Sequence, residues 1–140
     1  MTPEQGQLVR LSFVQIMDRK QDLGRIFYER LFATAPALRP LFKSSIDEQA
    51  QKLIDTLALV IGNLKNPTGL AGMLERLGRR HSGYGVKDEH YAIVGEALVW
   101  SLQKILGADF TPPLRDAWIA LYTAAADAMK QSTVAQAQRA

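Results

Sequence analysis

The sequence of 140 residues has no cysteine and only two histidines. Without cysteine there is no disulfide framework, no thiolate metal site and no thiol nucleophile. A bare zinc ion asks for three or four nitrogen, sulfur or carboxylate ligands. Here no Glu-x-x-His stands on a core face and no two histidines are four apart. Long apolar runs are also missing: "LALVIG" falls far short of the roughly 20 residues that cross a bilayer. The N-terminus "MTPEQGQLVR" has no basic segment followed by an apolar run, which excludes a secretory signal. A cytoplasmic location without membrane contact is the default expectation. No Gly-x-Ser-x-Gly elbow supports a serine triad, and no glycine loop offers to cradle a phosphate. Neither strand alternation nor an internal repeat is present. The net charge of +3 is spread along the chain with no dense basic stripe interleaved with aromatics, so nucleic acid is not an expected partner.

Hydrophobic residues make up 47% of the chain and charged residues 22%, which suits one self-sufficient globular domain over residues 1–140. Every segment reads as helix, giving an all-α fold of six or seven helices. Thr2-Pro3-Glu4-Gln5 predicts a capped start for the first helix, with Leu8, Leu11, Val14 and Val9 as its apolar stripe. A second helix is expected over 21–32, then a short helical turn in "PALRPLF" ending at Phe42. Ser45-Ile46-Asp47-Glu48 predicts a capping box opening a long helix to Leu64, with Leu53, Leu57, Val60 and Leu64 inward. After the break "KNPTG" comes a helix carrying Leu70, Met73, Leu74, Leu77 and His81. Asp88 or a neighbour starts a further helix to about Leu106, and Thr111-Pro112 starts the last, with Leu114, Trp118, Leu121 and Ala125 inward. The tail, about 131–140, is polar and expected to fray.

Three polar residues interrupt the apolar faces. His81 lies four residues after Leu77, Gln49 four before Leu53, and Tyr28 shares the inward face of its helix with Gly24, Leu31 and Phe32. A buried amide, phenol or imidazole without a partner costs about 1–3 kcal/mol. Each could be satisfied separately, His81 by a backbone carbonyl and Tyr28 by a hydroxyl that reaches the surface. Three of them on three helices point instead to a common partner inside the bundle, which periodicity does not identify. One core imidazole without companion ligands suits a metal macrocycle that brings four nitrogens of its own, as haem does. His90, after Glu89 at the start of a helix, reads as a solvated cap.

The stretches "IFYERLF", "PLF", "QAQKL", "LGRRHSGYGV", "HYAIVGEAL" and "AWIALY" occur in an order and spacing that resemble a single-domain bacterial globin. The resemblance runs over residues 8–129 and is to the globin part of flavohaemoglobins and to neuroglobin-like bacterial globins. It implies a globin fold around a pocket for haem b, with His81 as the proximal iron ligand and Phe42 wedged against the macrocycle. Tyr28 and Gln49 fall on the distal side as the catalytic pair, and Leu53 forms the apolar wall beside the sixth coordination position. Lys52 is placed to reach a propionate or to be solvated. His90 and Tyr91 lie near the haem edge, His90 toward a propionate, while Val86 and Val94 pack against haem or core. Gly83 and Gly85 are expected to turn the chain beneath the cofactor. Arg79 and Arg80 fall off the inward face, toward solvent or a redox partner.

Two departures sharpen this. No histidine holds the distal position, which argues against bis-histidine ligation. In flavohaemoglobins a glutamate of the last helix joins the proximal histidine and a tyrosine; Tyr91 matches the tyrosine, but Thr133 stands at the glutamate position. A peroxidase-like push on the iron is therefore not expected. The resemblance implies O2 and NO as ligands and NO conversion to nitrate with an external reductase, since no flavin or nicotinamide domain is read in the chain. Simple O2 binding, storage or transport is the alternative, and a gas sensor or a haem-free interaction module is a further one.

Overall fold

A computed structural model describes the backbone of residues 1–139 and the side chains of residues 1–131. Six α-helices, α1 (Pro3–Gln15), α2 (Lys20–Thr34), α3 (Ile46–Gly62), α4 (Pro67–Gly83), α5 (Asp88–Leu106) and α6 (Pro112–Arg139), are joined by 3-10 turns at Met17–Arg19, Pro36–Leu41 and Gly107–Asp109. No strand occurs among the described residues, and none of the helices there is long and apolar enough to cross a membrane. The backbone of the polar tail continues α6.

Helix starts follow the local chemistry. Thr2 Oγ1 accepts from the Gln5 amide at 3.1 Å, and Gln5 Oε1 accepts from the Thr2 amide at 2.9 Å, a complete reciprocal cap. At α3 only half of the expected box forms: Ser45 accepts from the Glu48 amide at 3.2 Å. Asn66 performs the same service for α4 through the Gly69 amide.

The helices stack in a crossed arrangement. α2 lies on both α3 and α5, and α6 supports α1, α4 and α5. Where α1 meets α6, Trp118 is 1% exposed and its indole N–H donates to Ser12 Oγ at 2.9 Å; that hydroxyl donates in turn to the Val9 carbonyl. This pairing dictates which side of α1 is buried: Val9, Ser12, Phe13 and Ile16. The stripe expected from the sequence is largely on the other side. Leu8, Leu11 and Val14 are 37%, 57% and 66% exposed. Apolar residues nearly encircle α1, so periodicity left the choice of face to its packing partner.

The crossing of α2 and α3 is unusually close. A Cβ built on Gly24 would come within 2.8 Å of Ala50 Cα and 3.2 Å of the Ala50 carbonyl oxygen. Only glycine lets the two backbones approach this far. The buried line of α3 is consequently Ala50, Ile54, Val60 and Ile61, while Leu53, Leu57 and Leu64, expected inward, are half-buried beside it. α3 and α4 follow each other in the chain but barely touch, because α3 rests on α2 and α4 on α6. The candidate site residues lie on α2, α3 and the end of α4.

Candidate functional site

The close crossing positions the first group of residues. Tyr28 follows Gly24 by one helical turn, and Gln49 and Leu53 flank Ala50. Tyr28 is 5% exposed and held by a ring of aromatics: Phe27 at 4.8 Å edge-on, Phe42 at 5.4 Å edge-on and Phe32 at 5.9 Å. Phe42, at the end of the Pro36–Leu41 turn, also meets Phe32 edge-on at 5.4 Å. Edge-to-face packing of this kind holds rings in defined orientations. The Tyr28 hydroxyl has no protein partner among the described residues, yet no described side-chain polar atom is both sealed from solvent and unpartnered. The hydroxyl therefore retains some solvent contact. Burial pushes its pKa well above the ordinary tyrosine value, so it remains a proton-bearing donor throughout the neutral range.

A second group of candidate residues lies at the end of α4. His81 is half-buried, and its Nδ1 lies 2.8 Å from the Leu77 carbonyl oxygen. A carbonyl only accepts, so Nδ1 carries the proton and the lone pair is left on Nε2. Burial lowers the pKa of His81, the positive charge of Arg80 lowers it further, and the bond to Leu77 opposes both. The ring is thus neutral, with a free, metal-competent nitrogen.

Beyond His81 the chain turns away sharply. Tyr84 and Gly85 donate to carbonyls of the last helical turn, and Val86 N–H donates back to the His81 carbonyl at 3.0 Å. Gly85 takes φ +90°, a conformation that L side chains rarely adopt, whereas Gly83 remains helical. The turn therefore depends on Gly85, not on both glycines. A Cβ at Gly85 would touch Leu41 at 3.5 Å, so the Phe42 strap and the His81 turn meet at one rim. Phe42, Leu53, Leu57, Leu77, Val86 and Val94 pack against the core but stay half-buried.

Other expected residues are placed differently. Gln49 is half-buried and makes no side-chain bond to Tyr28. Lys52 is exposed, with Nζ 3.5 Å from Ser44 Oγ. His90 Nδ1 accepts from the Lys87 amide at 3.0 Å, so the ring caps α5 and has only Nε2 to offer elsewhere. Tyr91 is buried, and its carbonyl accepts from the Tyr122 hydroxyl at 2.6 Å. Burial, then the nearby Asp88, raises its pKa. It lines a separate groove of about 530 Å³ between α5 and α6, with Trp100, Ile119 and Tyr122, that does not include His81 or Tyr28. The imidazole partner is thus the Leu77 carbonyl rather than Tyr91. Thr133 lies outside the residues whose side chains are described. Gly24, Ala50, Leu41 and Gly85 complete the architecture; of these, the helix-interior Gly24 on a buried face carried the clearest signal in the sequence.

Among the described residues no group of three His, Cys, Asp or Glu side chains could hold a bare metal ion. One neutral imidazole with a free nitrogen, a phenol donor and a set of half-buried apolar side chains fit a metal that arrives with its equatorial nitrogens already in place. The class this defines is a helical bundle for a metal macrocycle with room for a small ligand. Residues 25–129 match the globin family profile, and the chain belongs to the globin family. Membership implies haem binding and, with it, small gases such as O2 and NO as ligands. The chain is 35% identical to a flavohemoprotein of Bordetella pertussis over 130 residues, covering 91% of this chain and 32% of that relative, so it spans about a third of that protein's length. It is 30% identical to neuroglobin-1 of Oncorhynchus mykiss, covering 94% of this chain and 91% of the other. A solved structure with TM-score 0.85 and 27% identity covers 100% of this chain and 99% of its own. That structure is an engineered carbene transferase, made from a Rhodothermus marinus protein whose name assigns it provisionally as a nitric oxide dioxygenase.

Proposed function

We propose that the chain is a haem b globin that retains O2 tightly and uses it to convert NO to nitrate, with re-reduction by a separate reductase. The observation that carries this reading is the Tyr28 hydroxyl, buried, protonated and without a partner among the described residues. His81 would hold the iron through Nε2, with Leu77 keeping the ring in the correct tautomer and orientation. Phe42, Leu53, Val86 and Val94 would line the faces of the macrocycle, and Lys52 and the Nε2 of His90 are the groups available to its propionates. When bound, haem supplies an iron that takes a diatomic gas as ligand and lets O2 and NO combine.

Tyr28 would offer its O–H to a bound gas ligand carrying partial negative charge, and Gln49, on α3, would offer an amide N–H. The aromatic ring around Tyr28 positions that donor before any ligand arrives, so no ordering cost is added on binding. A hydrogen bond to a charged group contributes about 1.5–3 kcal/mol. At 1.4 kcal/mol per factor of ten, that is roughly ten- to hundredfold slower O2 release. The support for NO turnover is the likeness to a flavohemoprotein and to the Rhodothermus marinus protein.

Stopped-flow O2 dissociation from Tyr28→Phe tests the donor: a rise of about tenfold or more is expected, and an unchanged off-rate overturns the role of Tyr28. Nitrate formed per NO under a supplied reductant tests the reaction. Slow O2 release without nitrate would leave O2 storage as the function. Loss of the Soret band in His81→Ala checks the iron ligand.

A further inference from the structure

The positive excess of the sequence is mild, 17 Lys and Arg against 14 Asp and Glu, but the fold gathers part of it in one place. Arg76, Arg79 and Arg80 are spaced so that they share one face of α4. All three are exposed, and together they line a surface concavity of about 480 Å³. Glu75 engages Arg79 at 2.7 Å, both side chains being largely exposed, an arrangement worth little in water. The side chains of Arg76 and Arg80 have no ion pair or hydrogen bond among the described residues. The inward side of α4 is taken up by α6, so the arginine face looks outward. Arg80 directly precedes His81, and its charge is felt at that imidazole.

We propose that the Arg76–Arg79–Arg80 face of α4 is the docking surface of an acidic electron-donor protein. The inference rests on reading the chain as a haem globin whose iron must be returned to the ferrous state, and it names the partner's charge and landing place. Guanidinium forks match carboxylates in geometry as well as charge. Three of them raise the local concentration of an acidic protein through steering that salt abolishes. Their place beside His81 puts a docked donor one residue from the imidazole, an advantage of no use to a membrane or a nucleic acid. In the transfer, the reduced flavin or iron–sulfur centre of the donor loses one electron and the ferric iron gains it. No proton or group moves.

The test uses the haem-loaded protein and reduced flavodoxin, an acidic flavoprotein, at about 20 mM and about 500 mM salt. Two quantities are read: the second-order rate constant of ferric reduction, and the Kd for oxidised flavodoxin, which involves no turnover. The variant reverses the charges, Arg76→Glu, Arg79→Glu and Arg80→Glu; a matching triple substitution to Gln serves should the reversal impair folding. Expected at low salt is a drop of about tenfold or more in both rate and affinity, shrinking toward none at high salt. Reduction by photoreduced deazaflavin, a small neutral donor, reads the direct effect of the Arg80 charge on His81 and should change far less than reduction by flavodoxin. Equal flavodoxin rates and affinities in wild type and variant at low salt would overturn the proposal. So would arginine-dependent binding to phosphatidylglycerol vesicles or duplex DNA that is tighter than binding to flavodoxin. Nitrate yield reads the NO reaction separately: arginine-dependent reduction without nitrate would sink that reaction and keep the docking surface.

Discussion

The α2–α3 crossing offers a direct test of how the donor is positioned. Adding a Cβ at Gly24 places it 2.8 Å from Ala50 Cα, where ordinary van der Waals separation begins at about 3.4 Å. The obstacle is backbone, which cannot swing aside as the end of a long side chain could, so the helices must part by several tenths of an ångström. Overpacking of this kind costs about 1–3 kcal/mol. Alanine also gains up to about 1 kcal/mol in helix propensity over glycine, so Gly24→Ala should lose about 0–2 kcal/mol. Gly24→Val adds two methyl groups at the same place, has less propensity to gain, and should lose at least about 2 kcal/mol. Tyr28 and Ala50 ride on the separated helices, so O2 dissociation should quicken in the same order, glycine, alanine, valine. Ala50→Gly in the Gly24→Ala background removes one of the two clashing methyls and should recover part of the stability, leaving the other methyl against the α3 backbone. Urea unfolding and stopped-flow O2 dissociation measure the two effects. Wild-type stability and an unchanged off-rate in Gly24→Val would refute the reasoning.

Ser12→Ala leaves the buried Trp118 N–H without its acceptor, and should lower stability by about 1–3 kcal/mol at unchanged m-value; a coincident denaturation midpoint would speak against it. In the haem-free protein the lowered pKa of His81 means that the folded state binds fewer protons than the unfolded chain just below pH 6.5. Stability should therefore fall as pH drops through about 6.5. His81→Leu should flatten that dependence in a pH series of urea midpoints, and an unflattened curve would show that other groups govern it.

Much of the architecture was legible in the sequence because helix ends are local chemistry. Thr2, Ser45 and the break before Pro67 marked starts that the structure keeps, and α5 runs from Asp88 to Leu106 as expected. The inward placing of Tyr28 and the half-buried placing of His81 and Gln49 followed from helical spacing, since residues three and four apart share a face. Less legible was the choice of face where apolar residues surround a helix. Leu8, Leu11 and Val14 point outward because Trp118 seats itself on Ser12, more than a hundred residues away in the chain. His90 was legible as a cap at the start of α5, and its Nδ1 accepts from the Lys87 amide, leaving Nε2 for anything else.

Residue order alone settled the set of helices, their capped ends and the scarcity of ligands that leaves His81 nearly alone. Periodicity and capping act within a few residues, so they can be read without a fold. Only the tertiary structure decided that Gly24 meets Ala50, that Leu41 meets Gly85, and that α3 and α4 rest on different helices. Those are meetings of residues distant along the chain, and the close packing of whole helices, rather than any local preference, selects them.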